Sequence, residues 1–192
     1  MKPASTAFNC DNGKIRFGTE ADFFSAVRAE LAVDPIWRQT LTEVSAGYRG
    51  VHLGVFVEPY LKYVLNGTKT VESRFSVNRC PPWHRVFQGD ILLLKASGGP
   101  IVGVCCVGLV WSYELQPQTW AELKAGFTES LRAQDPNFWE SRSRAAYATL
   151  MQINSVKKLG PLLCHKRDRR GWVVLTPRNE LPMRSISEGI VQ

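Results

Sequence analysis

The first part of the chain has apolar residues at helical spacing. They recur three or four positions apart across residues 23–31 and again across 37–44. A capping box at Thr19–Asp22 and the pair Asp34-Pro35 are signals for two helix starts. Gly47 and Gly50 mark the end of the second helix. We therefore predict an N-terminal extension of two helices over residues 1–50.

Beyond residue 50 the pattern changes to short apolar or alternating runs, which are typical of strands. These runs cover residues 51–57, 70–76, 91–95, 101–110, 149–156 and 172–175. Short helices are predicted after Glu58-Pro59, after the capping box at Thr119, and from Pro136 to about Tyr147. We predict the α+β class, with a mixed β-barrel of about five strands and short crossing helices over residues 51–176. Residues 177–192 form a polar C-terminal tail.

Composition limits the classes of protein to consider. The chain has 192 residues and is 44% hydrophobic, an ordinary globular balance. No apolar run approaches the roughly 18 residues of a membrane span, so no membrane partner is expected. The five cysteines are odd in number and no secretory signal precedes them, which predicts reduced thiols and a cytoplasmic location.

The net charge of +7 indicates an anionic partner, of which nucleic acid is the commonest, although simple solubility would explain it equally. Six basic residues near the C-terminus are opposed only by Asp168 and are candidates for contacts with phosphate. The alternative is a solvated hairpin turn before the last strand. The six residues are Lys157, Lys158, Lys166, Arg167, Arg169 and Arg170.

The segment from Gly67 to Arg74 concentrates ionisable groups. Alternation along a strand places Thr70, Glu72 and Arg74 on one face, and Lys69 joins them only if the turn at Gly67 rotates it inward. In an enzyme, Lys69 would activate water or attack an acyl carbon, Glu72 would carry protons, and Arg74 would bind an oxyanion or phosphate. In a binding protein the same residues would hold phosphate and base edges. The alternative is an exposed edge strand with a surface ion pair.

Aromatic residues in loops can stack on nucleobases. Trp83, between a proline and a histidine in an irregular segment, is the best candidate, although tryptophans more often pack in the core or at its rim. Lys95 and Ser97 end a strand and are predicted to line the mouth of a cleft. We predict no cofactor.

Metal binding is a weaker alternative. Cys80 and His84 are four positions apart, and Cys164 precedes His165. Their spacing matches no zinc module, so we predict no metal site. The three histidines also support no Ser-His-Asp arrangement.

A family resemblance rests on two neighbouring runs. Leu53-Gly54-Val55-Phe56-Val57-Glu58-Pro59-Tyr60 is followed by a helix that ends at Asn66-Gly67, and then by Lys69-Thr70-Val71-Glu72-Ser73-Arg74. This arrangement resembles the ASCH domain, a PUA-like β-barrel family whose signature is Gly-x-Lys-x-x-Glu-x-Arg after a short helix. Gly67, Lys69, Glu72 and Arg74 match that signature, and the resemblance extends over about residues 51–176.

The resemblance implies a barrel with a cleft lined by the motif, which binds RNA or acts on nucleosides. Some small bacterial members remove the acetyl group from N4-acetylcytidine, and they pair the motif lysine with a threonine three positions on. In this chain that position is Glu72, a departure from their pattern.

Three functions follow as predictions. The first is binding of RNA or a modified nucleoside in a basic cleft, with DNA as a further possible partner. The second is an amidohydrolase acting on an acylated nucleoside. The third is a module that docks a protein partner through its N-terminal helices, with Trp37 and Phe23 exposed.

Overall fold

The computed structural model describes residues 15–17, 20–166 and 169–179. Its helices are α1 (Glu20–Leu31), α2 (Pro35–Ser45), α3 (Tyr60–Leu65), α4 (Pro117–Leu131) and α5 (Pro136–Glu140). Its strands are β1 (Ile15–Phe17), β2 (Val51–Phe56), β3 (Val71–Ser76), β4 (Ile91–Ala96), β5 (Ile101–Glu114), β6 (Tyr147–Leu162), β7 (Cys164–Lys166) and β8 (Trp172–Thr176).

Six strands form one curled, half-barrel sheet in the order β3-β6-β5-β4-β2-β8. The β2–β4 pair is parallel and the other four pairs are antiparallel, so the sheet is mixed. Strands β1 and β7 form a separate antiparallel pair. The α+β class is confirmed. The described residues form eight strands, where about five were predicted.

Three element boundaries predicted from the sequence are wrong. Helix α5 ends at Glu140 rather than near Tyr147, because Tyr147 already pairs with both Ser76 and Glu114 at the start of β6. Helix α4 begins at Pro117, and its N-cap Gln116 makes no side-chain capping bond, so the capping box at Thr119 does not start it. The long pairing between β5 and β6 extends β6 to Leu162, well beyond the predicted end at residue 156.

Hydrophobic residues cover both faces of the sheet. On one face, Leu31 of α1 and Trp37 of α2 pack in the same core cluster as Leu53 and Leu93. On the other face, α3 packs against β4, β5 and β6, and α4 and α5 cover β3 and part of β6. Strand β4 is buried on both faces, which explains its continuous apolar sequence.

The N-terminal helices therefore contribute to the core. Trp37 is 2% exposed, so it is not available for the docking of a protein partner that the third prediction required. The side chain of Phe23, the other residue named for that role, lies outside the described residues. In the described part of the chain, no helix has the length and apolar character needed to cross a bilayer.

Candidate functional site

Lys69 is brought into the sheet by the turn that follows α3. Gly67 has a φ of +76°, in the left-handed region that favours glycine, and the Lys69 amide donates to the Tyr63 carbonyl at 2.9 Å. The side chain is 2% exposed, and its Nζ lies 3.5 Å from Glu72 Oε2. The inward rotation that the sequence left open is therefore present.

Arg74 ties the two edges of the half-barrel together. Its Nη1 donates to the carbonyls of Val55 and Gly171, both at 3.0 Å. Its guanidinium lies over the rings of Phe56 and Trp172, 4.9 and 5.4 Å from the centroids. These contacts occupy much of the guanidinium fork that a phosphate would need.

Glu72 lies between the two cations. Its Oε1 is 3.0 Å from Arg74 Nε, and its Oε2 faces Lys69. The Arg74 Nε–H does not align with the carboxylate, so this contact is an ion pair rather than a hydrogen bond. Because Glu72 is 6% exposed, the cluster is one negative charge shared by two positive charges in a water-poor setting.

Lys69 is held as a hydrogen-bond donor. Burial lowers its pKa, and the carboxylate of Glu72 opposes that effect. Its Nζ donates to the Leu131 carbonyl at 3.1 Å and faces the Glu72 carboxylate. Both partners can only accept, so a protonated Lys69 satisfies both and keeps one N–H for a ligand.

The cluster opens into a cavity of about 190 Å³. Its aromatic lining residues are Phe56, Tyr60 and Phe138, and the centroid of the Tyr60 ring is 5.6 Å from Lys69 Nζ. Gly54 keeps this wall compact, because a Cβ there would lie 2.9 Å from the Phe56 ring and 3.3 Å from Arg74 Nη2. The cavity thus combines charged groups with aromatic rings.

Sequence reasoning did not assign Tyr60, Phe138 or Arg142 to the site. Tyr60 belongs to the run that carries the family resemblance, so a signal for it existed. Arg142 follows α5, and its guanidinium lies 3.9 Å from the centroid of the Phe138 ring. Burial is the main cause that lowers the pKa of Lys69, and the positive charge of Arg142 lowers it further. Burial is also the main cause that raises the pKa of Tyr60. No local pattern singles out Arg142 or Phe138.

Four other residues predicted to bind ligand lie apart from this cavity. Thr70 is exposed, and Trp83 is half-buried between His84 and Tyr147, at 4.7 and 4.9 Å between ring centroids. Lys95 is 5% exposed and donates to the carbonyls of Ala96 and Gly99. Ser97 is exposed in the turn after β4. The four residues do not line the cavity.

The predicted basic run is dispersed. Lys157 Nζ donates to the Glu30 carbonyl in the last turn of α1 at 3.0 Å, and Lys158 is exposed on β6. Lys166 is half-buried in β7, whereas Arg169 and Arg170 are exposed in the segment before β8. Arg167 lies outside the described residues. None of the described residues of this run lines the Lys69 cavity.

A second buried polar network lies behind Trp172. The Trp172 indole N–H donates to His52 Nδ1 at 3.3 Å, so His52 carries its proton on Nε2, 3.1 Å from Asp90 Oδ2. Asp90 also accepts from the Gly50 amide at 2.8 Å and from Arg178 Nη2 at 2.6 Å. Burial alone would raise the pKa of Asp90, but these hydrogen bonds lower it below the usual value.

The described cysteines Cys80, Cys105, Cys106 and Cys164 are free thiols. Among the described side chains, no group of three or more histidine, cysteine or acidic residues could hold a metal ion. The His165 side chain of the weaker metal prediction is outside that set.

No protein-family model matches the sequence, and no curated protein matches it. An ASCH protein of Zymomonas mobilis is 13% identical, covers 58% of this chain and 72% of its own, and has a TM-score of 0.48. The N-terminal domain of McrB from Staphylothermus marinus is 11% identical, covers 67% and 88%, and has a TM-score of 0.39. At these identities the likeness concerns the fold alone. The chain is thus similar in fold to ASCH proteins, at 13% identity.

Proposed function

We propose that the cavity at Lys69 binds a nucleobase, presented by an RNA strand or by a modified nucleoside. One observation carries this proposal: the cluster of Lys69, Glu72 and Arg74 opens into the same small cavity as the rings of Phe56, Tyr60 and Phe138. Proteins recognise unstacked bases with this combination of aromatic faces and hydrogen bonds to the base edge.

The size of the cavity supports a base-sized ligand. At about 190 Å³ it is smaller than the roughly 300–1,000 Å³ of pockets for drug-sized molecules. One flat ring system therefore fits better than a large ligand, and the rest of a nucleotide would lie outside the cavity.

The polar groups suit a base edge. The remaining N–H of Lys69 can donate to a ring nitrogen or carbonyl, and the lone pairs left on Glu72 can accept from a neighbouring amino group. A base edge that offers an acceptor beside a donor meets both requirements. Arg74 is occupied by the Val55 and Gly171 carbonyls, so its role is to hold Glu72 and the wall in place.

Replacing Lys69 with alanine tests this assignment. We expect binding of the preferred nucleoside to weaken by about tenfold or more, because a charge-assisted hydrogen bond contributes roughly 1.5–3 kcal/mol. Calorimetric titration against a panel of natural and modified nucleosides measures the effect. Lys124→Ala, which removes an exposed lysine of α4, should bind like the unmodified protein. Equal affinities for the two variants would contradict the proposal.

Hydrolysis of an acylated nucleoside is the second candidate, favoured by the lowered pKa of Lys69 and by Glu72 at 3.5 Å. A neutral Lys69 would take a proton from water as the water attacks the acyl carbon. Collapse of the tetrahedral intermediate would then release the carboxylic acid and return the proton to the amino group of the nucleoside.

Incubation with N4-acetylcytidine, followed by chromatography, distinguishes the two candidates. Release of cytidine that Lys69→Ala abolishes would establish the hydrolase. Tight binding without product would leave recognition as the function.

A further inference from the structure

Two more cavities lie beside the edge strand β8. The nearer one has a volume of about 240 Å³ and is lined by Cys80, Arg170 and the stretch 171–174. The farther one, about 420 Å³, is lined by Arg85, Phe87 and the residues that follow β8. Pro81 and Val174 line both cavities, so the two are adjacent, and together they are named here the β8 groove.

The β8 groove lies next to the Lys69 cavity. Gly171 lines its near end, and the Gly171 carbonyl accepts from Arg74 Nη1, which borders the Lys69 cavity. A Cβ at Gly171 would lie 3.2 Å from that same nitrogen, so glycine permits the close approach. Trp172, which also lines the groove, lies beneath the Arg74 guanidinium. The Arg74 side chain therefore lies between the two spaces.

The charged residues that line the groove are basic. Arg85, Arg170 and Arg178 line it, and no acidic residue does so among the described residues. Arg178 is held by Asp90 and by the Gln88 carbonyl. Arg85, in contrast, is exposed, and its side chain has no hydrogen-bond or ionic partner in the described part of the chain. Arg85 is therefore the cation best placed to take an external anion.

The groove also offers an aromatic surface. Phe87 is 44% exposed, and the Arg178 guanidinium lies 5.0 Å from the centroid of its ring. Exposed rings beside arginines are the features with which proteins bind single strands, whose bases stack while the phosphates meet the cations.

We infer that the β8 groove binds the sugar-phosphate backbone of a single nucleic-acid strand whose neighbouring base occupies the Lys69 cavity. This inference rests on the proposed function for that base. The strand would cross Gly171, pass Arg170, and place a phosphate at Arg85 and a base at Phe87.

The length of the groove accommodates several nucleotides. From Gly171 to Pro177 the chain advances six residues, or about 20 Å at roughly 3.3 Å per residue. Stacked nucleotides rise about 3.4 Å each along a strand, so the groove holds at most about six of them and fewer when the strand is extended. The ligand would then be an oligonucleotide, not a free nucleoside.

A fluorescence-anisotropy titration with labelled hexauridylate and hexathymidylate, compared with calorimetry on uridine monophosphate, tests the groove. We expect the hexamer to bind at least about tenfold more tightly than the monophosphate. Arg85→Ala should weaken hexamer binding about fivefold or more and reduce the slope of log affinity against log salt by about 0.7. Binding of the monophosphate should not change. Phe87→Ala should weaken the hexamer without changing that slope, and Lys124→Ala should have no effect.

The outcomes distinguish a failure of the groove proposal from a failure of the proposed base site. The groove proposal is overturned if hexamer and monophosphate bind with equal affinity. It is also overturned if Arg85→Ala binds the hexamer as Lys124→Ala does. Competition by hexaglutamate as strong as by hexauridylate also overturns it, since the groove would then recognise an acidic peptide. Hexamer binding that needs Arg85 but is insensitive to Lys69→Ala overturns the proposed base site and leaves the groove standing.

Discussion

Replacing Glu72 with glutamine is expected to lower the free energy of unfolding by about 3–5 kcal/mol, a large part of the roughly 5–15 kcal/mol that stabilises a typical domain. The substitution keeps the shape of the side chain and removes the one negative charge between Lys69 and Arg74. Lys69 is 2% exposed, so its charge would remain buried without a counter-charge.

Urea denaturation at neutral pH measures this loss as a lower midpoint with an unchanged slope. The matched control is Glu114→Gln, which breaks an ion pair with Arg79 whose side chains are 62% and 60% exposed. The control should keep its midpoint, because water and salt screen such a pair. A midpoint for Glu72→Gln equal to that of the control would show that the cluster contributes no stability.

The same variant has a predicted pH dependence. Burial already lowers the pKa of Lys69, and loss of Glu72 lowers it further, because the carboxylate opposes the effect of burial. In the pH range between the lowered folded pKa and the unfolded pKa, the unfolded chain binds more protons. Stability therefore rises with pH there. The deficit of the variant should shrink as the pH is raised above neutrality.

Replacing Asp90 with asparagine is expected to cost a similar 3–5 kcal/mol. Oδ1 accepts from the Gly50 amide and Arg178, while Oδ2 accepts from the Phe87 amide and faces His52 Nε2. Either orientation of the asparagine amide turns its NH₂ group toward donors, so at least two buried donors lose their acceptor. Asp135→Asn is the control: Asp135 caps α5 through the Asn137 amide, and asparagine caps a helix equally well.

Acid unfolding of the unmodified protein and of Asp90→Asn measures the contribution of the Asp90 charge. Because the folded-state pKa of Asp90 is lowered, its stabilisation is fully present above the unfolded pKa of about 3.9 and is lost as the pH falls toward the folded value. The unmodified protein should lose stability more steeply than Asp90→Asn below about pH 5. Parallel curves for the two proteins would mean that Asp90 contributes nothing to acid sensitivity.

Sequence patterns predicted the local part of the site. The signature residues Lys69, Glu72 and Arg74 lie within six positions, so one turn and one strand bring them together. Strand alternation alone places Lys69 on the face opposite to Glu72 and Arg74. This is wrong because β3 begins only at Val71, and Lys69 still belongs to the turn at Gly67. A period of two applies only within the strand.

Nonlocal contacts were beyond prediction. Phe138 comes from a segment more than 60 positions from Lys69, and its place in the cavity depends on how α5 packs over β3. Trp83 was the stacking candidate because it stands in a loop, yet His84 and Tyr147 already cover it. The charge of a segment likewise does not reveal its partner, since Lys157 binds the end of α1.

The core shared by the N-terminal helices and the sheet determines where this protein can be divided. Leu31 and Trp37 pack against Leu53 and Leu93, so the two N-terminal helices cover this face of the sheet. A fragment starting at Val51 would expose it, and an apolar surface of that kind favours self-association. Fusion partners and affinity tags therefore belong ahead of β1 rather than between α2 and β2.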